Sequence, residues 1–228
     1  MDLPNRDELE ILLAAAAGRV FGRTRRELLK LLGNPPDLGK LTAAFWEAAG
    51  VRSQNVIRPI MERIYLEAAE RFAVSLIIGV DWALVNEGAV SWASGYTFDL
   101  VRGLDATSQR ALQRAVSAYF EQGQTMGELT DRIGRIFSPQ RAEAIAVTEV
   151  TRAASQGEIG IAAEIRRQGV DMIPVWQANN DSLVCPICGP LHGVKAQGGI
   201  FTASSGTFSS PPAHVRCRCW LNHELPEA

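Results

Sequence analysis

A mainly α fold, with a helical N-terminal domain followed by a small α+β C-terminal module, is predicted by three features of this 228-residue sequence. Apolar residues recur at spacings of three and four through most of the first 168 positions, the period of amphipathic helices. At Val170 the pattern gives way to Met172-Ile173-Pro174-Val175-Trp176, which reads as a strand, and then to a stretch dense in glycine, serine and proline from Gly189 to Pro212. All four cysteines and all three histidines fall after position 184. Scattered core residues would not segregate in this way, so the C-terminal module has a chemistry of its own.

The first helix is predicted from Arg6 to about Leu32, on the periodicity of Leu9, Leu12, Leu13, Ala16, Val20, Leu28, Leu31 and Leu32. Gly33-Asn34-Pro35-Pro36 ends it, since glycine accepts the left-handed C-cap and proline cannot continue a helix. A second helix covers Leu41 to Ala49 and stops at Gly50, and Ser53 is the expected N-cap of a third that runs to about Phe72. The region from Asp81 to Gly103 is expected to be helical, with Trp82 and Trp92 buried. Asp105 or Thr107 caps a further helix that Gly123 closes, and a short one runs from Met126 to Phe137. Ser138-Pro139 then opens a helix reaching about Gln168, with Gly169 as its C-cap. The outer faces of this helical part are expected to be polar, and the domains to divide at 1–137 and 138–228.

Composition is that of an ordinary globular chain long enough to bury its own core, so metal is not needed to hold the whole molecule. A formal net charge of -2 gives no global attraction to nucleic acid or anionic lipid. The longest apolar run, Phe72 to Val80, is far shorter than the roughly 20 residues of a membrane span. Acidic residues in MDLPNRDELE argue against a secretory signal, and a reducing milieu would favour metal over disulfides.

Cys185-Pro-Ile-Cys188 is a C-x2-C pair of the kind that offers two thiolates from one tight turn, and His214-Val-Arg-Cys217-Arg-Cys219 offers more soft ligands downstream. Structural zinc needs four ligands, and five candidates are present: Cys185, Cys188, His214, Cys217 and Cys219. Either the four cysteines hold it, or Cys185, Cys188 and His214 do with one of the last two cysteines. A turn is expected in the Cys217–Cys219 segment if both are to reach one ion. His192 is a weaker candidate in a glycine-flanked loop, and His223 is expected at the solvated surface. Redox use of Cys-Pro-x-Cys is disfavoured because Gly189-Pro190 prevents the helix that would lower a thiol pKa.

Two stretches together resemble the phage Mu F-like minor head protein (phage head morphogenesis) family. One is Arg141-Ala-Glu143-Ala-Ile-Ala-Val-Thr148-Glu149-Val-Thr151-Arg152-Ala153. The other runs from Trp176 through Asp181-Ser-Leu-Val-Cys185-Pro-Ile-Cys188, Leu191 and Gly193 to Pro211-Pro212-Ala-His214-Val-Arg-Cys217-Arg218-Cys219. The likeness covers roughly Ser94 to Leu221. The chain departs from the pattern at Val215, where a proline is common, and in the Gly/Ser insertion from Gln197 to Ser210, which leaves the local loop geometry open.

The resemblance implies a non-enzymatic virion protein, made in the host cytoplasm and placed in the head interior or at the portal vertex. It implies the phage portal protein, the capsid protein and packaged DNA as partners, with residues 1–137 facing the portal or capsid; structural zinc is the cofactor expected from the cysteine and histidine spacing. Thr148, Glu149 and Arg152 mark the motif helix, where Glu149 and Arg152 are expected to pair or to reach the zinc module. Arg216 and Arg218 beside the metal, and Arg23, Arg25 and Arg26 on the first helix, are candidate contacts for phosphates or a partner, although such residues are more often solvated. The rival expectation is a zinc-containing nucleic-acid-binding protein or nuclease, prompted by His214 near paired cysteines. His214 cannot be both a structural ligand and a catalytic base.

Overall fold

Leu9, Leu13, Ala16, Val20, Leu28 and Leu32 all lie buried along one side of the first helix, α1 (Arg6–Leu32), as their spacing requires. The computed structural model describes residues 3–76, 79–179, 184–196 and 198–226. Gly33 follows α1 with φ of 75°, the left-handed residue expected there.

The next four predicted helices merge into two. Where Gly50 and Ser53 read as a break, the chain forms one helix, α2 (Ala43–Leu76), which runs on through Pro59. Ser53 is interior to it, its hydroxyl donating to the Ala49 carbonyl at 2.9 Å. Gly50 serves close approach: a Cβ there would meet the Asp105 carboxylate at 3.2 Å. In the same way α3 (Trp82–Glu121) is continuous. Asp81 is its N-cap, accepting from the Ala83 amide at 2.9 Å, and the Thr107 hydroxyl donates back to Gly103 at 2.6 Å within the helix. In both helices side-chain packing outweighs the local breaking tendency of Gly, Ser and Asp.

Gly123, at φ 59°, ends α3 as expected. A reciprocal Thr125–Glu128 capping box starts α4 (Met126–Ile136), and the Ser138 hydroxyl caps α5 (Pro139–Arg167) by accepting from Arg141 at 3.2 Å. Ala146, Val150, Ala153 and Ala154 of α5 share a core with Leu9 and Leu13 of α1 and Ile57, Met61 and Ile64 of α2. Ile161 and Ile165 continue that packing against Tyr65, Phe72 and Val85.

The outer faces are less polar than predicted. Ile11, Val74, Phe98 and Phe120 are all more than half exposed, and so is Ile200 beyond the helices. Trp82 is on the surface as well, whereas Trp92 lies between Tyr65 and Tyr96, stacked on the latter at 5.2 Å. Of the run Phe72–Val80, Ile77 and Ile78 lie outside the described residues. No helix among the described residues is long and apolar enough to cross a membrane.

The predicted strand is β1 (Ile173–Gln177), paired antiparallel with a terminal strand, β4 (Trp220–Glu224), Val175 opposite Asn222. Between them the Gly/Ser/Pro stretch folds into a hairpin of β2 (Phe201–Ala203) and β3 (Gly206–Phe208). This stretch has more structure than its composition suggests, because Phe201 is fully buried with its ring 5.3 Å from that of Trp176. Trp176, Phe201, Leu191 and Leu221 form a core of their own, into which Cys188, Cys217 and Cys219 project.

Candidate metal centre

The two cysteine clusters flank that small core and meet on one side of it. Cys185 and Cys188 sit on a single tight turn, where the Cys188 amide donates to the Cys185 sulfur at 3.3 Å and to its carbonyl at 3.1 Å. The second cluster folds back through a turn at Val215-Arg216, closed by the Cys217 amide on the His214 carbonyl at 3.2 Å. Arg216 there has φ of 62°, left-handed for a residue bearing a Cβ. The turn expected between Cys217 and Cys219 lies instead between His214 and Cys217. Residues two apart in an extended segment already share a face, so the two cysteines need no turn of their own.

All five predicted donors converge. Nε2 of His214 lies 3.0 Å from the Cys185 sulfur and 3.2 Å from that of Cys188, and the Cys188 and Cys217 sulfurs are 3.8 Å apart. The donor atoms form two triads, Cys185–Cys188–His214 and Cys188–Cys217–Cys219, each within 4.8 Å and sharing Cys188. Zinc–sulfur bonds of about 2.3 Å in a tetrahedron put sulfurs about 3.8 Å apart, which the Cys188–Cys217 pair matches. The Nδ1 side of His214 faces the Val215 carbonyl at 2.8 Å, which fixes the tautomer with Nε2 free to ligate. All four cysteines are free thiols, and only Cys185 has appreciable exposure.

The crowded thiols of the cluster compete for protons. Hydrogen bonds from Cys188 and Cys219 hold Cys217 far below the ordinary thiol range, and the same crowding, with Cys217 foremost, pushes Cys188 up. Burial works against ionising Cys185, but the amides of Cys188 and Ile187 lower it. A divalent ion would relieve this competition by stabilising every sulfur as thiolate. A metal held by so sulfur-rich a donor set would be a weak Lewis acid.

The motif helix backs this centre. The Thr148 hydroxyl accepts from the Arg216 amide at 2.8 Å, so it is this side chain, rather than Glu149 or Arg152, that reaches the cysteine-bearing module. Glu149 turns inward to Tyr96 at 2.6 Å and pairs with Arg152 at 3.3 Å, the local pair predicted. Thr151 also takes part, its hydroxyl donating to the Cys217 carbonyl at 2.6 Å while accepting from buried Arg6 of α1 at 2.8 Å. Neither Thr151 nor Arg6 is singled out by sequence reasoning, although Thr151 lies one helical turn after Thr148 and so on the same face.

A cleft of about 690 Å³ opens beside the centre, lined among others by Asp7, Glu10, Glu143, His214, Arg216 and Arg218. Arg216 bonds Glu143 at 2.8 Å, and Arg218 lies 3.7 Å from Asp7. Arg23 pairs with Glu27 at 2.8 Å. Arg25 lies against Gly134 of α4, where a Cβ would meet its guanidinium at 3.3 Å, and Arg26 is exposed. None of these three lines the cleft.

His192 is outside the cluster, its Nδ1 accepting from the Ala178 amide at 3.2 Å. His223, expected in solvent, is buried on β4 with its ring 5.4 Å from that of Phe72 and its Nδ1 3.9 Å from Glu158. Strand pairing draws it in, and burial, helped by Arg166, pushes its pKa down to about 4. Asp181, Ser182, Leu183 and Gln197 lie outside the described residues.

A family model described as phage Mu protein F like protein matches residues 109–222. That span runs from within α3 to within β4 and includes the motif helix and all five donors. No curated protein and no solved structure matches the chain.

Proposed function

Because the chain belongs to the phage Mu protein F like family, whose model covers half of it, we propose that it is a minor head protein of a tailed phage. In this role it is seated at the portal, acts in head morphogenesis or DNA delivery, and carries a structural zinc ion. The observation that supports the metal is the convergence of Cys185, Cys188, His214, Cys217 and Cys219 beside the motif helix of that family. Zinc would supply folding energy, on the order of 10 kcal/mol in small modules, to a segment whose own core is small.

The reading is structural rather than enzymatic. Both ring nitrogens of His214 are engaged, one by sulfurs and one by a carbonyl, so the residue has no nitrogen left to act as a base. Arg216 and Arg218 are drawn toward acids of their own chain, and a phosphate would have to compete for them. On this reading the portal-facing surface lies on the helices before residue 138.

Cryo-electron microscopy of particles assembled with and without this protein is the direct test. Density against the portal that disappears with the protein supports the proposal, and its absence from purified heads refutes it. Metal-dependent cleavage of plasmid DNA, lost in His214→Ala, would favour the nuclease alternative.

A further inference from the structure

The turn that carries His214 and Cys217 is held by a helix as well as by its own backbone hydrogen bond. At its apex Arg216 adopts φ of 62°, a conformation usually left to glycine. Within the turn, the Cys217 amide bonds the His214 carbonyl at 3.2 Å and the His214 ring bonds the Val215 carbonyl at 2.8 Å. Further support comes from α5, which grips the turn at three points.

Thr148 accepts the Arg216 amide at 2.8 Å while its own proton goes to the Ala144 carbonyl at 2.7 Å. One helical turn later Thr151 does the reverse, donating to the Cys217 carbonyl at 2.6 Å while accepting from Arg6 at 2.8 Å. Each hydroxyl has a second partner that fixes its direction, so neither is free to rotate. One takes an N–H and the other gives to a C=O, which admits a single register of the turn against the helix. The Arg216 side chain completes the grip, reaching Glu143 at 2.8 Å and the Gln140 carbonyl at 3.4 Å.

We propose that Thr148 and Thr151 are positioning residues of the metal centre: with the Arg216–Glu143 strap they template the left-handed turn and aim His214 and Cys217 toward Cys188 before metal arrives. This rests on the metal reading above. Its consequence is that α5 builds half of the site in advance, so affinity depends on hydroxyls that never touch the ion. Partners that orient metal ligands from behind typically change affinity 10- to 100-fold when removed.

The test uses the full chain, with zinc affinity from competition against a chromophoric chelator and the visible spectrum of the cobalt-substituted protein. Thr148→Val and Thr151→Val should each bind zinc about 10- to 100-fold more weakly, with shifted cobalt bands, and Thr148→Ser and Thr151→Ser should restore both. Glu143→Gln, at an exposed position that does not threaten folding, should weaken binding a few-fold. Arg216→Gly in the Thr148→Val background should recover part of the loss, because glycine needs no template at that φ; a purely structural role for Thr148 gives no such recovery. Wild-type protein that binds while both valine variants bind within a factor of about two, with unchanged cobalt spectra, overturns the template alone. Wild-type protein that takes up neither metal overturns the metal reading and this inference with it.

Discussion

The phenol of Tyr96 donates a 2.6 Å hydrogen bond to the carboxylate of Glu149, joining α3 to α5 inside the helical body. Arg152 lies 3.3 Å from the same carboxylate and 5.3 Å from the centre of the Tyr96 ring. Burial pushes the Glu149 carboxyl pKa up, and the hydrogen bond from Tyr96 opposes that shift. Tyr96→Phe should therefore cost about 1–3 kcal/mol, the range for removing a donor from a buried charged acceptor. Urea unfolding of the two proteins checks it, and a loss under about 0.5 kcal/mol would mean that water replaces the phenol.

Two glycines of α5 should respond to alanine in the opposite sense from glycines on open surfaces. A Cβ on Gly157 would sit 2.1 Å from the Tyr65 carbonyl oxygen, a backbone atom that cannot step aside, and one on Gly160 would strike the Tyr65 phenol. Gly95 of α3 has nothing within 4 Å of the added atom. Gly95→Ala should stabilise by about 1 kcal/mol through helix propensity. Gly157→Ala should destabilise by about 1–3 kcal/mol or more, as overpacking does, and Gly160→Ala by less because a side chain can swing. Denaturant midpoints decide, and a stabilised Gly157→Ala would contradict the close α2–α5 contact.

These cases also show where the sequence was legible. Helix ends marked by Gly33, Gly123 and Ser138-Pro139 are local chemistry, and the structure follows them. The breaks expected at Gly50 and Asp105 fail together, since Gly50 is small in order to admit Asp105 from another helix. That reason is invisible in one dimension. The convergence of the five candidate donors was readable because thiol and imidazole chemistry is carried by residue type and spacing. The support from Thr151 and Arg6 was not, since it joins positions 145 residues apart. His223 was misplaced because nothing local reveals that β4 pairs with β1.

His223 supplies a pH test. Burial holds its folded pKa at about 4 against an ordinary 6.5, with Arg166 adding to the depression. Between these values the unfolded chain takes up a proton that the folded chain refuses. Stability present above pH 6.5 is therefore lost as pH falls toward 4, by up to about 3 kcal/mol for a shift of this size. His223→Gln should flatten that slope in urea unfolding between pH 4 and 7. Acid release of metal affects both proteins alike, so the difference between their slopes isolates His223. Identical slopes would mean that the imidazole is protonated in place.

Five donors for four places give a specific pattern of ligand loss. Cys188 belongs to both triads, so Cys188→Ser, although it leaves four donors, breaks both triads and should abolish stoichiometric zinc. His214→Ala leaves four sulfurs, and Cys219→Ser leaves Cys185, Cys188, His214 and Cys217, so each should retain one zinc at reduced affinity, while the double variant should retain none. Trp176, fully buried in the same small core as three of the sulfurs, reports the outcome through its fluorescence. Chelation should expose it while far-UV circular dichroism keeps its helical signal, because α1, α2 and α5 share an apolar core that contains no ligand. Simultaneous loss of both signals would show that the ion holds the helices as well. That would extend the role of metal beyond the C-terminal module to the whole chain.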